Sequence, residues 1–468
     1  MKVSDGPSTP SVEAPGSRAA GGAATRAAGP EAVGAPSSAA ADGSAPSLPV
    51  RAGVVGASGI LGGEMLRILL GHPQIELEYV CAQTKAGRSP TELNPHLKDA
   101  GLAEFEAFDA RVAAKRCDVV FLATPPETAA RAAPELLDAG AEVVVDLSPA
   151  YRVRDPELHR RWYPDVDRDE EIAAVAAYGL PELGGAVGRD GRAHGGGGLG
   201  SPLLGRDAIR AARVIAMPGC FATAILLAAL PLRDVEGISF DSIAIDGKSG
   251  STGSGARLRE SGAHTWRSNV VAPYAPRGHR HVAEVAQALA ALGIDGRPTT
   301  ADAALAGPGD ANAASSSGEV GPTTADAGVA APGDANPASE RGGLRLGMST
   351  YGVDLVRGLS VGLYSFFEGE LDERALRRAY HRRYRDERFV RVQVGRGSAL
   401  PLPDPKAVIG SNFCDVAGFV DEAARRFVLI GAIDNMVKGG AGQAVQACNL
   451  RLGLPEEQGL EAIPVFPV

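Results

Sequence analysis

One stretch restricts the fold of this chain more than any other: a short apolar strand that runs through a glycine turn into a helix. Val50–Val55 is compact and apolar, and Gly56-Ala57-Ser58-Gly59-Ile60-Leu61-Gly62 follows it. From Leu61 to Leu70, Leu61, Met65, Ile68 and Leu69 fall on one helical face, and Gly71 and Pro73 end the helix. Ile75–Ala82 reads as the next strand. Asp118–Ala123 and Glu142–Leu147 are near-continuous apolar runs, as strands covered on both faces are, with a helical segment at about 126–139 between them. A βαβ series of this kind predicts an α/β, Rossmann-type doubly wound parallel sheet.

Beyond residue 213 the pattern changes. The strand RVIAM meets a Pro218-Gly219 turn, and an apolar helix starts at Cys220. Strands are predicted at Ile238–Asp246, Arg345–Val353, Leu359–Phe367, Phe389–Val394, Asn412–Val420 and Phe427–Ile433. Helices are predicted near His281–Leu292, Asp372–Tyr384 and Gly440–Leu452. This is an α+β second domain with a long mixed or antiparallel sheet. The expected division is 50–148 for dinucleotide binding and 149–438 for catalysis, with a helix at about 439–468 packing back on the first domain.

The chain of 468 residues holds 60 Gly and 33 Pro, concentrated in three segments. Residues 1–49, about 184–206 and about 297–343 lack a periodic apolar face and are expected to be disordered. The last contains an imperfect tandem repeat, starting at Pro298 and again at Pro322. The tail has no apolar h-region and carries Asp5, Glu13, Glu31 and Asp42, which argues against an export or transit signal. No apolar run reaches membrane-spanning length. A net charge of −9 without a basic run excludes nucleic acid on electrostatic grounds. Five cysteines without a regular framework indicate a reducing compartment, so a cytoplasmic protein is expected.

The chemistry-bearing residues are few. Gly56, Ser58, Gly59, Ile60, Leu61 and Gly62 would cradle a dinucleotide pyrophosphate at a helix start. After the second strand, Thr84, Lys85 and Arg88 stand where an acid would select NAD, so NADP is expected. Cys220 lies at a helix N-terminus, where a thiol pKa is lowered, and is the candidate nucleophile. His279-Arg280-His281 supplies proton partners. His281 is the candidate acid/base, and Glu284, one turn away, would orient its ring. Arg280 is a fixed cation for phosphate or carboxylate. No residue set points to a metal.

Taken together, GASGILGGEMLRIL, DLSPAYRV, YGLPEL, MPGCFATA, KSGSTGSG, GHRHVAEV and IDNMVKGGAGQAVQ resemble the N-acetyl-γ-glutamyl-phosphate reductases. Aspartate-semialdehyde dehydrogenases share the cysteine and architecture but not GHRH or YGLPEL. The resemblance implies NADPH-dependent reduction of a small-molecule acyl phosphate to an aldehyde in arginine biosynthesis, by a homo-oligomer. It makes Cys220 the nucleophile. Arg152 and Ser148 in DLSPAYR, with His279 and Arg280, would contact substrate. Ser249, Gly250 and Asn435 would lie near the cofactor. Departures occur at Phe221, Ala222, HRHVAEV and DLSPAYR, and they bear on the acyl group. The alternative is a similar subgroup that reduces aminoadipyl or glutamyl phosphate tethered to a small amino-group carrier protein, in lysine or arginine synthesis. A dinucleotide-binding regulatory module would not need Cys220, His281 and Glu284, and a cysteine acyltransferase would not need the 56–62 turn.

Overall fold

The computed structural model describes residues 49–184, 186–187, 193–194, 203–255, 264–294, 344–393 and 402–466. The expected disordered segments 1–49 and 297–343 lie outside these residues, apart from Pro49, as does most of 184–206.

The first sheet is parallel throughout. It uses β1 (Val50–Val55), β2 (Ile75–Cys81), β3 (Val119–Leu122), β4 (Val143–Asp146), β5 (Ala177–Tyr178) and β8 (Val214–Ala216). Their order is β2-β1-β3-β4-β8-β5. All residues of β3 and β4 are buried, as expected for central strands with helices on both faces. The covering helices are α1 (Ile60–Leu70), α2 (Pro90–Leu93), α3 (Ala110–Arg116), α4 (Pro126–Asp138), α5 (Pro156–Trp162), α6 (Glu170–Val175) and α7 (Gly205–Ala211). Strand order reverses between β1 and β3, which opens a crevice at their carboxyl ends, where ligands bind in such sheets.

One part of the 184–206 segment is ordered, contrary to expectation. A short antiparallel pair joins β6 (Ala186–Val187) to β7 (Ala193–His194), and α7 begins at Gly205. Arg206 holds Glu387 at 2.6 Å and Glu456 at 2.8 Å. Composition alone hid this, because the partners are about 180 and 250 residues away.

The second sheet is mixed, in the order β11-β12-β10-β13-β17-β16-β15. Its members are β10 (Ser242–Ser249), β11 (Val271–Ala275), β12 (Arg345–Val353), β13 (Leu359–Phe366), β15 (Val390–Val392), β16 (Cys414–Asp421) and β17 (Arg426–Ile433). The single strand expected at 238–246 is two: β9 (Ile238–Ser239) pairs with β14 (Glu368–Gly369), and β10 starts at Ser242. Burial alternates along β12 and β13, so one face is core. That face packs under α8 (Cys220–Ala229), α10 (His281–Ala291) and α11 (Glu373–Tyr384), while the short α9 (His264–Arg267) precedes the edge strand β11. Every residue of α8 after Cys220 is buried, which is the fate of a helix apolar all round.

The chain then returns to the first sheet. Val437–Ala441 forms a π-turn, with Gly439 N–H bonded to Asp434 O and Ala441 N–H to Met436 O, and α12 (Gly442–Arg451) follows. Ala444, Val445, Ala447 and Cys448 share a core with Met65, Leu66 and Leu69 of α1.

Candidate active site

The glycine turn closes β1 onto α1 only because side chains are absent. Gly56 has φ +88°, and a Cβ there would lie 2.4 Å from the Ala123 carbonyl oxygen, at the end of β3. A Cβ at Gly62 would lie 2.3 Å from Gly56 O. Gly59 caps α1 without a side-chain hydrogen bond, and the first turn holds no acid. Ser58 and Gly59 are half-buried and Ile60 is exposed, so the helix start faces the crevice with its amides and partial positive charge. This cradle fits a pyrophosphate. Thr84 and Lys85 lie in a single 3-10 turn straight after β2. Arg88 differs from expectation: its guanidinium is paired with Glu92 at 2.5 Å.

Cys220 is the first residue of α8 and is partly buried, while Cys81, Cys117, Cys414 and Cys448 are buried. Its thiol lies above its ordinary pKa, not below. Burial raises it more than the Arg152 charge, the Phe221 backbone amide and the Arg280 charge lower it. Two glycines leave room around it. A Cβ at Gly439 would sit 2.6 Å from Cys220 Cβ, and a Cβ at Gly219 would sit 2.4 Å from His281 Nε2. The His281 ring therefore packs on the residue before the thiol. The rings of His279 and His281 meet at 4.6 Å, and both lean on Phe221. Burial and the Arg280 charge push His279 down to about 3, and burial holds His281 well below 6.5. Both imidazoles are neutral near pH 7, and the Nδ1 of His281 has no hydrogen-bond partner among the described residues.

Glu284 does not orient the imidazole. Its Oε1 accepts from the Gly219 amide at 2.8 Å and from the Tyr178 hydroxyl at 2.7 Å. The carboxylate thus holds the Pro-Gly turn that presents Cys220. One-turn spacing places Glu284 on the face of α10 shared with His281, but the turn's amide, 65 residues away in sequence, captures it.

The other candidates divide. Arg152 donates to Met217 O at 2.5 Å and Leu147 O at 2.7 Å, and its Nη1 stands 4.0 Å from Glu284 Oε2. Its role in this structure is to brace the backbone beneath Cys220. Ser148 departs from the substrate expectation too: its hydroxyl donates to Asp146 at 3.0 Å and accepts from Ala150 N. Arg280 is exposed at the start of α10. Gly250 lies against Leu355 and Val356, and Ser249 is buried beside it. Asn435 accepts from Gly358 N at 2.8 Å and donates to Thr252 at 3.0 Å, so its amide ties two loops together.

Comparison with known proteins decides the family. The semialdehyde dehydrogenase NAD binding domain matches residues 51–187, and the semialdehyde dehydrogenase dimerisation domain matches 220–301 and 338–435. The chain belongs to the semialdehyde dehydrogenase family. Its oxidoreductase class and two-part fold follow, and the NADP expectation is consistent with the first domain. Solved structures share the fold of this chain. Aspartate semialdehyde dehydrogenase II from Vibrio cholerae has TM-score 0.55 and 14% identity over 87% of this chain and 99% of that one. Aspartate semialdehyde dehydrogenase with NADP from Candida albicans has TM-score 0.52 and 14% identity over 86% and 98%.

Curated relatives are nearer in sequence. A protein of Caldivirga maquilingensis, named as a putative LysW-L-2-aminoadipate/LysW-L-glutamate phosphate reductase, is 34% identical over 89% of this chain and 99% of its own length. The LysW-L-2-aminoadipate/LysW-L-glutamate phosphate reductase of Saccharolobus solfataricus is 32% identical over 89% and 99%. These names overturn the expected N-acetyl-γ-glutamyl-phosphate reductase assignment and its restriction to arginine. The shared motifs carry cysteine and dinucleotide chemistry common to both groups, so they could not select the acyl group.

Sequence reasoning missed several residues of this site. Tyr178 and Glu182 lie inside YGLPEL, and Lys438 and Gly439 inside IDNMVKGG, so the motifs held the signal. Lys438 and Glu182 are fully buried and paired at 2.6 Å, with Gln446 Oε1 accepting from Lys438 at 2.8 Å. Among the described residues, no cluster of His, Cys, Asp and Glu could hold a metal ion, and no helix is long and apolar enough to cross a membrane.

Proposed function

We propose that this protein reduces an aminoadipyl or glutamyl phosphate, attached through its amino group to a small carrier protein, to the semialdehyde in amino-acid biosynthesis. The supporting observation is the naming of relatives, 30–34% identical over nearly their whole length, as reductases of LysW-linked substrates. A homo-oligomer is the expected assembly, from the dimerisation domain.

The residues suit the chemistry in order. Neutral His281 accepts the Cys220 proton as sulfur attacks the acyl carbon, which removes the need for a preformed thiolate. The carbon–oxygen bond to phosphate breaks, phosphate leaves, and a thioester on Cys220 remains. NADPH, when bound, supplies the hydride that reduces this thioester. The imidazolium returns its proton, the carbon–sulfur bond breaks, and aldehyde is released with the thiol restored. Glu284 acts as a positioning residue through Gly219, with Arg152 bracing the same turn. His279 and Arg280 border the acyl site. Gly56, Ser58, Gly59, Ile60, Leu61 and Gly62 would hold the pyrophosphate, Thr84 and Lys85 the 2′-phosphate, with Ser249, Gly250 and Asn435 shaping the cleft.

The test is trapping without reductant. Acyl phosphate substrate should add one acyl group to Cys220 by mass spectrometry and release one phosphate, and Cys220→Ser should do neither. Phosphate release without a Cys220 adduct would reject the mechanism. Cofactor choice has its own outcome: NADPH should be preferred over NADH by about tenfold or more in kcat/KM, and Lys85→Ala should remove most of that preference.

A further inference from the structure

Two neighbouring glycines in the turn after β17 face the two halves of the site. A Cβ at Gly439 would sit 2.6 Å from Cys220 Cβ, and a Cβ at Gly440 would sit 2.7 Å from Leu61 Cδ1. Leu61 is the second residue of α1 and belongs to the glycine cradle that fits a pyrophosphate. One π-turn, Val437–Ala441, therefore touches both the nucleophile and the cofactor cradle. Where this turn lies sets how far the cradle stands from the thiol.

Two acids and one arginine hold it in place. Asp434, fully buried just before the turn, accepts from Met436 N at 2.8 Å, Val437 N at 3.3 Å and Gly410 N at 2.7 Å. Its carboxylate stands 3.2 Å from Arg357 Nη2. The same nitrogen donates at 2.7 Å to Oε1 of Glu64, in the second turn of α1. Arg357 lies in the connection between β12 and β13, which is itself fastened. Gly358 N donates to Asn435 Oδ1 at 2.8 Å, while Leu355 O and Val356 O accept from Ser251 N at 2.8 Å and Thr252 N at 3.0 Å. A guanidinium offers its donors in a rigid planar fork, so one arginine can hold two carboxylates at a set spacing. Each carboxylate has other partners as well. Glu64 pairs with Arg67 at 2.7 Å, and Asp434 has its three amides. Neither acid depends on Arg357 for its burial. Among the described residues, what Arg357 supplies is the link between them.

We propose that Arg357 is a positioning residue for hydride transfer: it ties α1 to the turn behind Cys220 and so sets the distance from bound cofactor to the reacting carbon. The inference deepens the proposed function and rests on its hydride step. A displacement of about 1 Å costs up to about a hundredfold in rate, even when the change is made far from the reacting atoms. Attack of Cys220 on the acyl phosphate needs no cofactor, so acylation lies outside the effect.

The test uses the full chain. In Arg357→Met, NADPH should bind with near wild-type affinity by its fluorescence, because the cradle is intact, and the melting temperature should fall little. Acylation of Cys220 by the carrier-linked substrate should keep its rate. Hydride transfer in a single turnover should slow about tenfold to a hundredfold, and NADPH deuterated at the transferred position should show a larger isotope effect on kcat. Arg357→Lys, a point charge that holds one acid at a time, should fall between. A second readout is independent of the acyl group. Labelling of Cys220 by iodoacetamide is followed by mass spectrometry with saturating NADP⁺ and with 2′-phospho-ADP-ribose, which lacks the nicotinamide. The extra protection given by NADP⁺ reports nicotinamide beside the thiol, and Arg357→Met should lose most of it. A wild-type chain that shows this protection but does not reduce the carrier-linked substrate counts against the proposed substrate and leaves the positioning role standing. Extra protection unchanged in Arg357→Met, or acylation and hydride transfer slowed by the same factor, overturns the proposal. Glu64→Gln gives the same reading from the other end of the link should the Arg357 variants not fold.

Discussion

Around Cys220, reactivity depends on how one turn is held. Gly219 gives its amide to Glu284 and its open side to the His281 ring, so both groups act on the thiol through a residue with no side chain. The sequence made Cys220 and the histidines legible through their turn and helix start. It misread Glu284, because helical spacing shows which face a side chain shares and not which amide reaches it first. The two readings differ in outcome. Glu284→Gln keeps an oxygen for Gly219 N and Tyr178 Oη, and should retain stability within about 1 kcal/mol. Glu284→Ala leaves both donors buried and unpaired, which should cost about 2 kcal/mol or more in urea unfolding and lower kcat with it. Equal stability of the two variants would count against this role.

Among the elements, the return of the chain from β17 through the π-turn into α12 matters most. The sequence located most strands of both sheets to within a few residues, since each is an apolar run bounded by turns, but it missed the short β5 and the exposed edge strand β11. It missed the π-turn, whose cause is tertiary: Lys438 reaches Glu182 across 256 residues, and Gly439 meets Cys220. Such turns recur at functional sites. The buried pair is costly to break and cheap to replace. Lys438→Met alone should destabilise by about 3–5 kcal/mol because Glu182 stays buried without its partner. Lys438→Met combined with Glu182→Leu should recover much of that loss. A double variant as unstable as the sum of the singles would show that the two side chains do not act as a pair.

For the whole molecule, the buried histidines link folding to pH. His279 and His281 are neutral in the folded chain well below pH 6.5, whereas the unfolded chain protonates them there. The unfolded state then binds more protons, so stability rises with pH through this window. Lowering the pH from 6.5 toward 3 should reduce stability by up to about 1.4 kcal/mol per pH unit for each histidine. His281→Asn should flatten the profile, which urea melts at a series of pH values would show.

The family was legible from motifs spread over both domains, but the acyl group was not, because those motifs carry only the cysteine and dinucleotide chemistry. The most direct measurement therefore compares substrates. NADPH oxidation is followed with the carrier-linked aminoadipyl or glutamyl phosphate and with N-acetyl-γ-glutamyl phosphate at equal concentration. The carrier-linked compounds should be reduced with a kcat/KM at least about a hundredfold higher, corresponding to roughly 2.7 kcal/mol of discrimination. Equal or faster reduction of the N-acetyl compound would contradict the account.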